Sequence, residues 1–273
     1  METILSVTAS TVLIPVLIAC GVIAAVSIVV GIALGILGEK FKVKTDPKET
    51  ALRKALAGSN CGACGYTGCD AYAKAVVHDG ADPGLCTAAD NAEIGKILGV
   101  KIDDKRRMTA YVRCSGNCTK TRANYDFTGT HDCRIAYLAP GHGSKKCAYS
   151  CCGFGTCADF CPYDAIRVAD GLAVVDPEKC RACGRCVDVC PNHLIEIIPY
   201  DAPYVVRCSS KTKGKAVREA CTDGCIGCGI CAKVCESGAV TVENNIARID
   251  QDKCIGCGKC AEKCPSKIII KRF

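Results

Sequence analysis

The chain begins with an uninterrupted apolar run. Residues 4–38 contain no charged side chain, and residues 12–37 are apolar or small except for Ser27. A helix of these 26 residues would be about 39 Å long, whereas the hydrocarbon core of a bilayer is about 30 Å thick. The pattern therefore predicts a single transmembrane helix, an anchor over residues 1–38 in contact with membrane lipid.

The charges beside this run predict its orientation. Lys40, Lys42 and Lys44 follow it, whereas Glu2 precedes it. By the positive-inside rule we expect a single-pass protein of the cell (inner or plasma) membrane with the bulk of the chain in the cytoplasm. A cleaved signal peptide would have a basic start and a shorter apolar region. A lipoprotein signal ending at Cys20 would not continue for 17 more apolar residues.

Beyond the anchor, hydrophobic positions form only short runs. Residues 70–78 have helical periodicity. Residues 165–168 and 172–175 flank a short turn, as do residues 239–242 and 246–249, and each pair is typical of a β-hairpin. We therefore expect an α+β fold of small elements after the single N-terminal transmembrane helix.

An internal repeat relates eight cysteines to eight others by an offset of 74 residues. The first eight are Cys147, Cys151, Cys157, Cys161, Cys180, Cys183, Cys186 and Cys190, and their counterparts are Cys221, Cys225, Cys231, Cys235, Cys254, Cys257, Cys260 and Cys264. The string Val-Arg-Cys-Ser also occurs twice, at residues 112–115 and 206–209. The repeat predicts two tandem dicluster ferredoxin-like modules, over residues 147–207 and 208–273, after a connecting segment with extra cysteines at 101–146.

The spacing of these cysteines predicts [4Fe–4S] clusters. The full C-x2-C-x2-C-x3-C-P run ends at Pro191 and again at Pro265. In this bacterial ferredoxin pattern three cysteines hold one cluster and the fourth ligates the neighbouring cluster. The rule gives three ligand sets, namely Cys161 with Cys180, Cys183 and Cys186, then Cys235 with Cys254, Cys257 and Cys260, and Cys264 with Cys225, Cys228 and Cys231.

The fourth ligand set is altered, because Phe154 occupies the repeat position of Cys228. Cys152 could replace one of the regular ligands, or the site could hold a three-iron cluster. The economical ligand set is Cys147, Cys151, Cys157 and Cys190.

A separate four-cysteine domain is expected over residues 39–100. Its spacing is Cys61-x2-Cys64-x4-Cys69-x16-Cys86. Four thiolates without histidine suit either zinc or [4Fe–4S]. Structural zinc sites usually consist of two C-x2-C pairs, and this arrangement does not, so we interpret it as a fifth [4Fe–4S] site.

The remaining cysteines leave the cluster count open. Cys20 lies in the apolar run, where it is an apolar filler. An additional, sixth cluster could draw its ligands from Cys114, Cys118, Cys133, Cys208 and Cys221, and the set we favour for it is Cys114, Cys133, Cys208 and Cys221. The alternative is that these are free cysteines that pack as small hydrophobic residues.

Composition supports metal binding. There are 27 cysteines in 273 residues, an odd number with metal-type spacing, which favours a reducing compartment over a disulfide scaffold. The formal net charge of +7 treats every thiol as neutral, whereas each cluster with four thiolates adds about −2. We therefore read the basic residues as counter-charge and expect no nucleic-acid partner. Arg181, Arg185, Lys253 and Lys259 flank cluster motifs and could steer an acidic redox partner.

The combination of parts resembles the B subunit of the Rnf complex. The resemblance rests on the anchor, Asn60-Cys-Gly-Ala-Cys-Gly-Tyr-Thr-Gly-Cys69 with Cys86, Val112-Arg-Cys and the tandem motifs, and spans essentially the whole chain. It implies an iron–sulfur subunit of a membrane complex that couples electron flow between ferredoxin and NAD to Na⁺ or H⁺ translocation. The subunit would accept electrons from reduced soluble ferredoxin and relay them to the other membrane and peripheral subunits.

The resemblance also implies that this chain alone has no complete catalytic site. One alternative is a membrane-anchored polyferredoxin subunit of another oxidoreductase such as a hydrogenase. Another is a structural zinc or disulfide protein with no redox role.

Overall fold

A computed structural model describes residues 2–41, 46–102 and 106–272. The chain divides into two compact units, Met1–Pro47 and Lys48–Phe273. The smaller unit holds the anchor, and the larger one holds all the cysteines except Cys20.

The anchor unit consists of helix α1, Glu2–Lys40. Within it, Pro15–Lys40 is the one helical stretch of the described residues that is long and apolar enough to cross a membrane, with a mean hydropathy of 2.8. The Ser27 hydroxyl donates to the Ile23 carbonyl at 2.8 Å, so the hydroxyl that interrupts the apolar residues 12–37 is satisfied within the helix. Lys42 and Lys44, used for the orientation, lie outside the described residues.

Three helices enclose a small core at the start of the larger unit. They are α2 (Pro47–Ala55), α3 (Cys69–His78) and α4 (Asn91–Leu98). Leu52, Tyr72 and Ile94 are fully buried between them. The predicted helix over residues 70–78 is confirmed by α3, which starts one residue earlier.

The rest of the chain repeats one order of elements. The first copy comprises β1 (Met108–Val112), α5 (Cys133–Leu138), α6 (Thr156–Asp159), β2 (Ile166–Ala169), β3 (Leu172–Val175), α7 (Arg185–Val189) and β4 (Ile195–Pro199). The second comprises β5 (Tyr204–Val206), α8 (Lys215–Ala220), α9 (Ile230–Lys233), β6 (Val240–Glu243), β7 (Ile246–Ile249), α10 (Lys259–Glu262) and β8 (Ile269–Lys271).

In the described residues, the strands form four two-stranded antiparallel sheets, two within each copy. The pairs β2–β3 and β6–β7 are the two predicted hairpins, and both are confirmed. The other two sheets pair strands far apart in sequence, with Val112 opposite Ile195 in β1–β4 and Val206 opposite Ile269 in β5–β8. In each copy, therefore, the first strand pairs with the last one.

This pairing differs from the expected module boundaries at residues 147 and 207/208. Strand β1 lies in the segment expected to be only a connection, yet it completes the first copy. Strand β5 lies in the expected first module, yet it pairs with β8 of the second. The two divisions differ because cysteine motifs mark ligand loops, whereas strand pairing is non-local. We call residues 106–202 the first repeat and residues 203–272 the second repeat.

Candidate iron–sulfur sites

The cysteines surround cavities and do not converge on single points. All 27 are free of disulfides. Among the described residues, no three Cys, His, Asp or Glu side chains are placed to hold one metal ion. A tetrahedral zinc ion, with Zn–S bonds of about 2.3 Å, would bring its sulfurs within about 4 Å of each other. Three groups of these thiols instead line cavities.

The regular ligand set of the second repeat lines one such cavity. About 350 Å³ of space free of protein atoms lies beside Ile268 and Ile269, bordered by the four thiols Cys225, Cys228, Cys231 and Cys264. A Cβ on Gly227 would lie 2.9 Å from the Asn245 Cα, so only glycine lets this ligand loop pass the hairpin turn. Four thiols around an apolar cavity fit a cubane, and we call this the inner second-repeat site.

The altered motif lines a cavity of about 360 Å³ in the first repeat. Five thiols border it, namely Cys133, Cys151, Cys152, Cys157 and Cys190. Cys147, which we expected in this set, lines a different cavity. We call this group of five the inner first-repeat site.

Cys133 reaches this site from a segment that the second repeat lacks. The offset between the two Val-Arg-Cys-Ser strings is 94 residues, but from Cys147 onward it is 74, so the first repeat holds 20 extra residues. The added segment packs onto Phe154, whose ring lies 5.2 Å from Phe127 and stacks on His131 at 5.0 Å. Cys133 itself donates its backbone N–H to Thr156 Oγ1 at 2.8 Å.

The thiols of Cys133 and Cys152 differ in acidity. A hydrogen bond from Cys152, with further ones from Thr156 and the Phe154 N–H, lowers the pKa of Cys133 to about 5. The same Cys133–Cys152 bond, with burial, raises the pKa of Cys152. Asn192 Nδ2 lies 3.8 Å from the Cys152 sulfur. This hydrogen bond therefore favours the thiolate form of Cys133 over that of Cys152.

A third cavity, of about 320 Å³, lies between the two repeats. Its four thiols are Cys114, Cys147, Cys208 and Cys221. The additional set expected from the sequence contained Cys133, and the structure places Cys147 there instead. Cys118 is exposed and lines none of the three cavities. We call this group the junction site.

The other two ferredoxin-type sets are also brought together. Burial raises the pKa of Cys186 to about 12, with smaller contributions from the nearby Cys180, Cys183 and Cys161. Burial likewise raises the pKa of Cys260, with contributions from Cys254 and Cys235. We call these the outer first-repeat site (Cys161, Cys180, Cys183 and Cys186) and the outer second-repeat site (Cys235, Cys254, Cys257 and Cys260).

The four-cysteine domain gathers its thiols around helix α3. Burial raises the pKa of Cys86, and the neighbouring Cys61 and Cys69 add to that shift. Cys64 and Cys86 both lie near Tyr72, whose pKa burial raises to about 12. We call this group, Cys61, Cys64, Cys69 and Cys86, the four-cysteine site.

This domain docks on the first repeat. Arg185 Nη2 donates to the Asn60 carbonyl at 2.8 Å, and its Nε donates to the Cys61 carbonyl at 3.3 Å. The Ser59 and Tyr163 hydroxyls lie 2.6 Å apart. Arg185 is therefore engaged inside the protein, whereas the sequence had suggested it for steering a partner.

Direct neighbours link successive sites. Cys61 lies near enough to Cys183 to contribute to its raised pKa, and Cys186 does the same for Cys157, with burial the main cause in both. Across the junction, the Cys225 N–H donates to the Cys208 sulfur at 3.4 Å. These neighbours connect the four-cysteine site to the outer and inner first-repeat sites, and the junction site to the inner second-repeat site.

Comparison with known families matches three parts of the chain. A putative Fe-S cluster family covers residues 56–88, a 4Fe-4S binding domain covers 173–196 and a 4Fe-4S dicluster domain covers 224–268. The four junction cysteines lie outside these matches, since Cys114, Cys147, Cys208 and Cys221 belong to none of the three ranges.

Curated relatives match most of the chain. The chain is 41% identical over 241 residues to the B subunit of the Na⁺-translocating ferredoxin:NAD⁺ oxidoreductase complex of Acetobacterium woodii, covering 87% of this chain and 72% of that protein. It is 39% identical to the proton-translocating counterpart of Clostridium ljungdahlii, over 83% of this chain and 81% of that protein. It is 36% identical to the B subunit of the ion-translocating oxidoreductase complex of Methanosarcina acetivorans, over 91% of this chain and 95% of that protein.

Proposed function

This chain belongs to the family of B subunits of ion-translocating ferredoxin:NAD⁺ oxidoreductase complexes, and from that premise we propose that it relays single electrons from reduced soluble ferredoxin to the other subunits. It is the iron–sulfur electron-transfer subunit of such an oxidoreductase and translocase. When bound, each [4Fe–4S] cluster would accept and release one electron at a potential tuned by its surroundings.

We assign one [4Fe–4S] cluster to each of five cysteine sites. Each repeat is then a dicluster ferredoxin-like module. The five sites are the four-cysteine site, the outer and inner first-repeat sites, and the inner and outer second-repeat sites. The observation that carries the relay is the proximity of ligand residues of successive sites, Cys61 to Cys183 and Cys157 to Cys186. Short separations between redox groups are what an electron relay needs.

At the altered site we assign Cys133 as the fourth ligand beside Cys151, Cys157 and Cys190. Phe154 stands where the second repeat has the ligand Cys228, and the 20 extra residues of the first repeat pack onto Phe154 and place a buried cysteine in the same cavity. One loss and one insertion compensate each other. Cys152 then hydrogen-bonds beside the cluster without ligating it.

The surface for ferredoxin is assigned to the outer second-repeat site. Ile255 lies between the ligands Cys254 and Cys257 and is 67% exposed, and Cys257 is itself exposed. Lys253 and Lys259 flank the loop, although each also pairs with a carboxylate, Asp250 and Glu236 respectively. An exposed apolar side chain surrounded by charged residues suits a transient partner.

The anchor places this relay at the membrane. We assign α1 as a single-pass helix with the cysteine-rich unit in the cytoplasm, where reduced ferredoxin is found. Residues 15–38 carry no acidic or basic side chain, so the binding and movement of the translocated ion is assigned to partner subunits.

The test is the rate at which reduced ferredoxin reduces the anaerobically purified full-length protein. The loss of visible absorbance measures this rate. We expect Ile255→Asp to slow this reduction about tenfold, which corresponds to about 1.4 kcal/mol. Reduction by dithionite, which needs no docking surface, should be unchanged. Val100→Asp, a change at another exposed apolar residue, is the control.

Equal rates of reduction by ferredoxin for Ile255→Asp and the unaltered protein would contradict the assignment of the ferredoxin surface to this site. Colourless or zinc-loaded protein would overturn the iron–sulfur function altogether. Recovery of the protein with a hydrogenase and without flavoprotein membrane partners would favour the polyferredoxin alternative.

A further inference from the structure

The junction site is built symmetrically by the two repeats. Cys114 and Cys208 stand at the same place in the two Val-Arg-Cys-Ser strings, just after strands β1 and β5. Cys147 and Cys221 are related by the 74-residue offset. Each repeat thus contributes one thiol from just after its first strand and one from the segment after its first helix, and neither repeat has more than half the set.

The hydrogen bonds to the two strand cysteines follow the same symmetry. Gly116 N–H donates to the Cys114 sulfur at 3.3 Å, and Ser210 N–H donates to the Cys208 sulfur at 3.5 Å. The backbone N–H of Cys151 also donates to Cys114, as that of Cys225 does to Cys208. Hydrogen bonds from backbone N–H groups to cysteine sulfur are among the features that tune a bound iron–sulfur cluster.

The junction thiols border the same kind of space as a regular ligand set. Three of the four thiols are buried and Cys147 is half-buried. The space beside them, about 320 Å³ including its opening to solvent, is close in size to the 350 Å³ at the inner second-repeat site, whose ligands follow the ferredoxin rule.

A buried positive charge stands beside the site. Lys145 is 8% exposed, and its ammonium donates to the carbonyls of Gly116 at 2.9 Å and Gly171 at 2.6 Å. Both acceptors are neutral, and the Cys114 thiol lies close enough to interact with the ammonium. Burying an ammonium ion is costly unless a negative charge compensates it. A cubane with four thiolates carries about −2 and would supply that charge.

We propose that Cys114, Cys147, Cys208 and Cys221 hold a sixth [4Fe–4S] cluster that connects the two repeats into one electron path. This inference rests on the proposed iron–sulfur function. Cys151 and Cys225, whose N–H groups touch the junction thiols, are ligands of the inner sites on either side. An electron leaving the inner second-repeat site would reduce the junction site and then the inner first-repeat site, with no bond formed or broken.

Iron and sulfide quantitation on the anaerobically purified full-length protein tests the proposal. Six cubanes give about 24 iron atoms per chain and five give about 20. We expect about 24 for the unaltered protein and about 20 for Cys208→Ala. Cys118→Ala, an exposed cysteine outside the three cavities, is the matched control and should keep about 24.

The outcomes distinguish failure of the sixth cluster from failure of the proposed iron–sulfur function. About 20 iron atoms in the unaltered protein overturns the sixth cluster and leaves the other five. A Cys208→Ala protein that keeps about 24 also overturns it. Should the variant fail to fold, the count for the unaltered protein still decides. Absence of iron and sulfide from the unaltered protein would instead overturn the proposed function.

Discussion

Arg185 Nη2 donates to the backbone carbonyl of Asn60 at 2.8 Å and thereby joins the four-cysteine domain to the first repeat. We expect Arg185→Leu to cost about 1–3 kcal/mol of docking energy, because two carbonyls lose a charged donor. Hydrogen exchange at residues 59–64 should rise severalfold. Arg181→Leu is the control, since that exposed arginine contributes only its backbone carbonyl to Thr87. Equal exchange in both variants would contradict the role of Arg185.

Phe154 offers a rescue test for the ligand at the altered site. Cys133→Ala should lose about four iron atoms, one cubane. Adding Phe154→Cys restores a cysteine at the repeat position of Cys228 and should recover them. Cys152→Ala should keep its iron. If Cys152→Ala loses the cluster and Cys133→Ala does not, the assignment of these two thiols is reversed.

Lys145 should raise the reduction potential of the junction site, because a nearby positive charge stabilises the more negative reduced state. We expect Lys145→Met to lower one potential by tens of millivolts, where about 59 mV is a tenfold change for one electron. Potentiometric titration followed by EPR measures it. Lys146→Met, an exposed neighbour, is the control. An unchanged set of potentials in Lys145→Met would count against a cluster beside this lysine.

Glu196 connects the repeats through two arginines. Its Oε1 lies 2.7 Å from Arg113, which is buried and also bonds the Cys208 carbonyl, and 3.2 Å from Arg248. Glu196→Gln leaves Arg113 buried without a counter-charge, so we expect a loss of about 1–3 kcal/mol. When the protein is heated at a fixed rate, its visible absorbance should disappear at a temperature several degrees lower.

The control for this change is Glu236→Gln, which breaks an exposed pair with Lys259. Exposed pairs contribute little, so its bleaching temperature should stay nearly constant. Equal shifts in the two variants would show that Arg113 is compensated by other groups.

Asp132 is the N-cap of α5 and thereby positions Cys133, the first residue of that helix. Its carboxylate accepts from the Arg134 N–H at 2.7 Å, and the Arg134 side chain lowers the pKa of Asp132 to about 2. Because this folded-state pKa is depressed, the stabilisation is present above the ordinary pKa and is lost only as the pH falls towards about 2. We expect Asp132→Ala to release iron faster than Asp132→Asn, which keeps a capping acceptor, throughout roughly pH 6–8. Iron release to a chelator measures this.

The sequence predicted the parts of the fold that depend on neighbouring residues. The hairpins of 165–175 and 239–249 and helix α3 follow from local periodicity and turn residues. The ferredoxin-type ligand sets come from spacing within one loop and from a known crossing rule. For the same reason the four cysteines of residues 61–86 could be grouped without a structure.

The junction was harder to predict because its thiols come from four separate segments. Cys147 lies four residues before Cys151, so its spacing placed it in the local motif, although the fold turns it towards the other repeat. Cys114 and Cys208 meet it only after β1 pairs with β4 and β5 with β8. The signal available in the sequence was the change of offset from 94 to 74 residues, which marks both the insertion and the position of Cys133.

The even division of the junction thiols limits how this protein can be taken apart. A gene fragment encoding either repeat alone would present two unmatched cysteines on what had been an inner surface, open to oxygen and to crosslinking. Deleting either repeat would remove two of the four junction thiols, so the two halves are expected to function only as a single unit.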